Sequence, residues 1–131
     1  MEKDFDNWNI NKKRVHKEEK KVMFYEREVW WCAGINIGVE IDGKHELFSR
    51  PAIIVRKFNK EMSLIVPTTA QNKNNKYYFS VSGDDGKTYN ACLSQIRVIS
   101  SKRLLRKIGT INRVDYEGLL DKITQMVKGL L

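Results

Sequence analysis

The residues best suited to chemistry lie in one stretch, 49–71. Arg50 stands just before Pro51, and Thr68 and Thr69 stand just after a second apolar run. The apolar runs, at 52–55 and 64–66, flank the polar segment Asn59-Lys60-Glu61. That is the pattern of a strand hairpin with a buried face. Pro51, at the start of its strand, gives up an N–H where the loss is tolerated. In an antiparallel pair the first strand begins where the second finishes, so a guanidinium and one or two hydroxyls meet at one edge of a sheet. A guanidinium offers a fork of donors to two oxygens at once, and a hydroxyl donates or accepts. The combination suits an anionic substrate such as a phosphodiester. The competing readings are a structural ion pair for Arg50 and a turn cap for Thr69.

Other groups able to titrate are few. A long glycine-bearing loop, 34–49, carries Glu40, Asp42, His45 and Glu46. Loops of this length in a compact domain are functional or mobile. A lone loop histidine is most often surface, and a general base is the sharper reading of His45. His16 lies among lysines and reads as surface. Cys32 and Cys92 have neither metal-ligand nor redox spacing and read as buried free thiols of a reducing compartment. No metal or cofactor motif is present.

The elements that must position these groups follow from periodicity. Residues 4–23 read as a weakly amphipathic helix, with Phe5, Trp8, Val15 and Val22 on a narrow stripe. Glu28–Ala33 reads as the opening strand, and 77–81, 88–93 and 96–99 supply further strands. Asp85-Gly86 is a hairpin dipeptide. Ser100 or Ser101 caps a short helix through Lys107, with Lys102, Arg103, Arg106 and Lys107 on one face and Gly109 ending it as a C′ glycine. Asn112 and Asp115 form a capping-box pattern for a last helix. Its apolar stripe is Tyr116, Leu119, Leu120, Ile123, Met126, Val127 and Leu130. Short strands with turn signals at these intervals favour a small antiparallel barrel or strongly bent sheet with helices at its edge, a mainly β, α+β chain.

Its 131 residues suit one domain with a single core. No apolar run approaches the roughly 20 residues of a bilayer span, and no signal peptide is visible. The formal charge of +8 raises the prior for a nucleic-acid or acidic-protein partner. The excess is sharpest near the C-terminus, where no acid occurs between Ser100 and Val114.

In order and spacing, several segments resemble the MazF/PemK/Kid family of toxin–antitoxin endoribonucleases. They are Glu28-Val29-Trp30-Trp31, Arg50-Pro51 with Ala52-Ile53-Ile54-Val55, and Val66-Pro67-Thr68-Thr69-Ala70-Gln71. Leu93-Ser94-Gln95-Ile96-Arg97 follows, and then Ser101-Lys102-Arg103-Leu104 leading to Ile108-Gly109. The match covers about residues 26–128, which leaves 1–24 as an N-terminal helical extension to a domain at 25–131. The resemblance implies an SH3-like barrel acting as a cytoplasmic homodimer. It implies sequence-specific, metal- and cofactor-independent cleavage of single-stranded RNA, and an antitoxin partner with an acidic, flexible tail.

By position, Arg50 and Thr69 match the family's catalytic arginine and threonine. Gln95 matches an RNA-contacting residue, and Glu40 lies in the loop that closes over the strand. Thr68, Gln71, Lys73 and Arg97, in or just beyond the matching segments, are expected to complete the RNA contact. The implied chemistry is attack by a 2′-oxygen on the adjacent phosphorus, with Arg50 offsetting charge on the phosphoryl oxygens. Two positions depart from the pattern. Ser94 stands where many relatives carry a carboxylate, and Val39 stands where some carry histidine. Two other functions therefore stay open: a non-enzymatic, CcdB-like gyrase poison, and an RNA-binding module without catalysis.

Overall fold

The computed structural model describes residues 22–35, 49–71 and 73–131. The helix expected at 4–23 lies outside them except for Val22 and Met23, which have no regular structure. Among the described residues, seven strands precede one α-helix. They are β1 (Glu28–Ala33), β2 (Ser49–Lys57), β3 (Met62–Thr69), β4 (Tyr78–Ser82), β5 (Thr88–Cys92), β6 (Arg97–Ser100) and β7 (Leu104–Thr110), followed by α1 (Arg113–Val127). Pairing is antiparallel, in the order β4-β5-β3-β2-β1-β7, with β6 also on β3. The expected α+β class, mainly β, is the one that forms.

The β2–β3 hairpin is central, and both its faces are covered. Ile53, Val55 and Val66 join one buried cluster with Val29, Val81, Ala91, Tyr116 and Leu119. Their neighbours Ala52, Ile54 and Ile65 join a second with Phe24, Trp30, Cys32, Ile35, Ile99 and Leu104. Strand side chains alternate between faces, so a sheet buried on both sides needs a continuous apolar run, here Ala52-Ile53-Ile54-Val55. The hairpin turn is held by Asn59, whose Oδ1 accepts from the N–H groups of Glu61 (2.8 Å) and Met62 (3.0 Å).

Two features curl the sheet. A register shift between Ile54 and Arg56 makes Val55 a bulge in β2, and bulges bend and twist a strand. The end strands then meet: Gly83 bridges to Ile111, and Asp84 N–H donates to Thr110 O at 2.8 Å. The start of α1 is fixed at the same place. Asn112 Oδ1 accepts from Asp115 N–H at 2.9 Å as an N-cap should. Asp115 completes the box on another strand, accepting from Ser82 N–H at 2.7 Å.

One expected element is different. The short basic helix through Lys107 does not form. Ser100 caps only a 3-10 turn at Ser101–Arg103, and strand β7 follows. Local preference there favours helix, but β1 needs a partner along its outer edge, and Leu104 inserts into the second cluster. Gly109 is consequently a strand residue, not a C′ cap. A Cβ there would stand 3.2 Å from the Tyr89 hydroxyl, tighter than an ordinary contact, so a larger residue would require Tyr89 to shift. Helix α1 packs by Tyr116 and Leu119, with Leu120, Ile123 and Met126 partly buried. Val127 and Leu130, expected on that stripe, lie in solvent.

The bulge also explains how α1 is held. The Val55 carbonyl accepts from the buried Tyr116 hydroxyl at 2.7 Å. Tyr116→Phe keeps the ring and removes that donor. It should lower the free energy of unfolding by about 1–3 kcal/mol, read as a lower urea midpoint at an unchanged slope.

Candidate functional site

Register and alternation decide which side chains share a face. Arg50 pairs with Cys32, and Ala52 pairs with Pro67. Continuing that ladder two residues sets Arg50 across from Thr69. Thr69 in turn pairs with Asn90 on β5, and β4 sets Ser80 on Asn90 and Tyr78 on Cys92. Side chains paired in register point the same way. Arg50, Thr69, Asn90, Cys92, Ser80 and Tyr78 therefore occupy one face, at the end of the sheet that adjoins the second cluster. Arg50 and Thr69, expected to meet at one sheet edge, are placed by this register on one face. Thr68 is not brought there: it is 2% exposed, and its hydroxyl donates to Pro51 O at 2.9 Å on the opposite face.

Arg50 is half-buried, and its Nε, fully shielded from water, has no hydrogen-bond partner among the described residues. A shielded N–H without an acceptor is costly and is relieved by an incoming anion. The Thr69 hydroxyl accepts from Gln71 N–H at 3.2 Å, which leaves its own proton to donate outward. Asn90 ties this corner together. Its Oδ1 accepts from the Ser80 hydroxyl at 2.6 Å, and its Nδ2 donates to Gln71 O at 3.1 Å. Gln71 and Lys73 are exposed beyond it, with Lys73 Nζ 5.7 Å from the centre of the Tyr78 ring.

The other expected contacts come from the turn after β5. The Arg97 guanidinium donates to Gln95 O and Gln95 Oε1, each at 3.3 Å. Burial lowers the Arg97 pKa below its ordinary value, the charge of Arg103 adds to the effect, and Cys92 opposes it. A cation crowded by burial and a like charge gains more than usual from an anion. Ser94 is exposed, its Oγ 3.8 Å from Cys92 Sγ. Glu40 and His45 lie outside the described residues.

The two cysteines are free and buried. Burial pushes the Cys32 thiol up to about 12, so it is inert at neutral pH. Tyr78 has its pKa raised, first by a hydrogen bond with Cys92 and then by burial, while the charge of Arg50 pulls the other way. Of the remaining basic residues, Arg106 lies 5.7 Å from the Trp31 ring and Lys107 pairs with Glu28 at 3.1 Å. Among the described residues no three His, Cys, Asp or Glu side chains cluster as metal ligands would. No helix among them is long and apolar enough to cross a membrane.

Sequence reasoning missed Tyr78, Asn90 and Cys92. The signal was available: counting back from the Asp85-Gly86 turn sets Tyr78 opposite Cys92 and Ser80 opposite Asn90.

Comparison with known proteins bears on what this face serves. The family model described as PemK-like, MazF-like toxin of type II toxin-antitoxin system matches residues 25–127. No curated protein matches the sequence. Three solved structures share the fold. One is an endoribonuclease in complex with its cognate antitoxin from a mycobacterial species, 13% identical at a TM-score of 0.61, covering 83% of this chain and 98% of that one. Another is the Mycobacterium tuberculosis toxin MazF-mt6, 14% identical at 0.58, covering 78% and 97%. A third is MazF from Deinococcus radiodurans, 13% identical at 0.59, covering 83% and 99%. At such identities the likeness speaks to the fold.

The Asn90 clamp is testable by itself. Asn90→Ala should speed amide hydrogen exchange across Thr69, Ala70 and Gln71 and cost about 1 kcal/mol of stability. Exchange in that segment unchanged from the parent would show that the turn is held by something else.

Proposed function

The chain belongs to the PemK-like, MazF-like toxins of type II toxin–antitoxin systems, and from that premise we propose that it is a metal-independent endoribonuclease acting on single-stranded RNA. The observation that carries the reading is the placement of Arg50 and Thr69 at one end of one sheet face, with a shielded Arg50 N–H that lacks an acceptor among the described residues. RNA needs no outside nucleophile, because its 2′-oxygen can attack the adjacent phosphorus. The protein must orient that attack and offset the charge that builds on the phosphoryl oxygens. Arg50 supplies the charge and a fork of donors, and Thr69 supplies a hydroxyl to a phosphoryl oxygen or to the 2′-OH. Gln71, Lys73, Gln95 and Arg97 hold the strand on either side. His45, or Glu40 in the same loop, takes the 2′-OH proton. The products are a 2′,3′-cyclic phosphate and a 5′-hydroxyl.

The reading extends to assembly. The domain at 25–131 is an SH3-like barrel, supported by the bridge that joins its end strands, and 1–24 is an extension to it. It works in the cytoplasm as a homodimer, and RNA crosses the dimer interface. An antitoxin with an acidic tail competes with RNA for the cations at 50 and 97. The structurally similar mycobacterial endoribonuclease is bound to its cognate antitoxin, which supports a partner of that kind.

Purified protein should cut mixed single-stranded RNA in the presence of chelator; activity lost to chelator and restored by magnesium would overturn metal independence. Arg50→Ala should lower the single-turnover rate by a factor on the order of a hundred or more. RNA affinity should fall far less, since other cations contribute. Arg50→Lys keeps the charge, loses the fork and should not restore the rate. Equal losses of rate and affinity at an unchanged melting temperature would make Arg50 a binding residue only.

A further inference from the structure

Departure of the 5′-oxygen needs a proton, and the described part of the site offers few sources. Arg50 gives up protons too reluctantly, and the Thr69 hydroxyl is a weak acid. Ser94 stands at the position where a carboxylate was expected. Cys92 is 1% exposed, beneath the surface that RNA would touch.

Tyr78 answers each point. It opens β4 opposite Cys92, on the face that carries Arg50 and Thr69. Its strand partner is Cys92, and a hydrogen bond to that thiol and the charge of Arg50 act in opposite directions on its pKa. The Cys92 sulfur lies 3.8 Å from Ser94 Oγ, so Cys92 links its strand partner Tyr78 to Ser94. Sulfur is a weak hydrogen-bond partner, so turning the phenol from sulfur toward a substrate oxygen costs little. The hydrogen bond and burial raise the Tyr78 pKa. The phenol therefore keeps its proton at neutral pH and is a donor, not a base.

We propose that Tyr78 is the general acid of RNA cleavage, delivering its phenolic proton to the departing 5′-oxygen. The inference rests on the endoribonuclease reading above. In this step the 2′-oxygen forms its bond to phosphorus and releases its proton to solvent or a base. The bond from phosphorus to the 5′-oxygen breaks, and its electron pair takes the Tyr78 proton. The phenolate then recovers a proton from water. Arg50, a cation on the same face, steadies the phenolate while it lasts.

A leaving group that needs no proton separates this role from a structural one. Once the cleavage site has been mapped on mixed RNA, two oligonucleotides are compared under single-turnover conditions: the natural one, and one with sulfur in place of the scissile 5′-oxygen. Tyr78→Phe should slow the natural substrate on the order of a hundredfold and the sulfur substrate by no more than a few-fold. 3-Fluorotyrosine at position 78 keeps the ring and hydroxyl but changes the acidity, so it guards against a folding defect in the first variant. It should alter the rate on oxygen and leave the rate on sulfur. Equal slowing of both substrates by Tyr78→Phe, or slowing of neither, overturns the assignment while the nuclease reading stands. So does a Lys73→Met variant that shows the oxygen-selective loss in place of Tyr78→Phe. A parent protein that cuts no RNA overturns the nuclease reading and this inference together.

Discussion

The ladder between β2 and β3 is the constraint on which most of the molecule depends. One register, set by Ile53 on Val66 and Ala52 on Pro67, assigns Ile53 and Val66 to one cluster and Ala52 to the other. The same register sets Arg50 across from Thr69. A slip by one residue would exchange the faces, sending side chains shaped for one cluster into the other and separating the two polar groups at once. Core and site are therefore not independent choices. Selection for a buried Ile53 already restricts where the Arg50 side chain can point.

That ladder must also end without leaving polar groups in the interior, and the structure solves this with side chains from distant elements. The bulge frees the Val55 carbonyl, and Tyr116 from α1 fills the need. Arg27 has an unusual positive φ of 77° and ties three elements at the opposite rim. Its carbonyl accepts from Ile111 N–H at 2.8 Å, its Nε donates to Ile111 O at 3.1 Å, and its guanidinium lies 3.8 Å from Asp84. A strained residue persists only where its surroundings hold it, and here they include the junction between β7 and α1. The helix is thus fastened at its cap and at its first buried turn, which leaves Val127 and Leu130 beyond the sheet and in water.

What could be read from the residues was whatever short-range pattern decides. Glu28–Ala33 is a strand because six consecutive residues with a β-branched and aromatic centre have few alternatives. The Asn112 cap and the Asp85-Gly86 turn are local chemistry, and both formed. The segment after Ser100 was misread because Leu104, Leu105 and Ile108 fit a helical stripe and lysine and arginine favour helix. What overrides them is the free edge of β1, which is invisible within a seven-residue window. Thr68 and Thr69 are adjacent and chemically alike, and the resemblance made both candidates for RNA. Alternation sends them to opposite faces, and only Thr69 reaches the side that holds Arg50. Glu40 and His45 belong to a stretch that the structure does not describe.

The electrostatics of the face give the last step. Arg97 and Arg103 repel each other across a partly buried site, and Arg50 keeps an N–H shielded from water with no acceptor among the described residues. The second is a cost that an arriving anion relieves, so on the proposed reading the face accepts polyanions as a class. Such attraction is indifferent to sequence and lowers the energy of bound RNA and of its transition state alike. Acceleration needs groups whose interaction strengthens as the phosphorus changes geometry. In the proposed mechanism the Arg50 fork meets that condition as charge grows on the phosphoryl oxygens. In the same proposal, a protonated phenol on that face meets the condition at the departing oxygen, where negative charge exists only during the reaction. Within the described residues, Asn90 holds the turn that carries Thr69 and Gln71, and in the proposed mechanism the division is physical: Arg97 with Arg103 attracts, and Arg50 with Tyr78 addresses charge that develops only in the transition state.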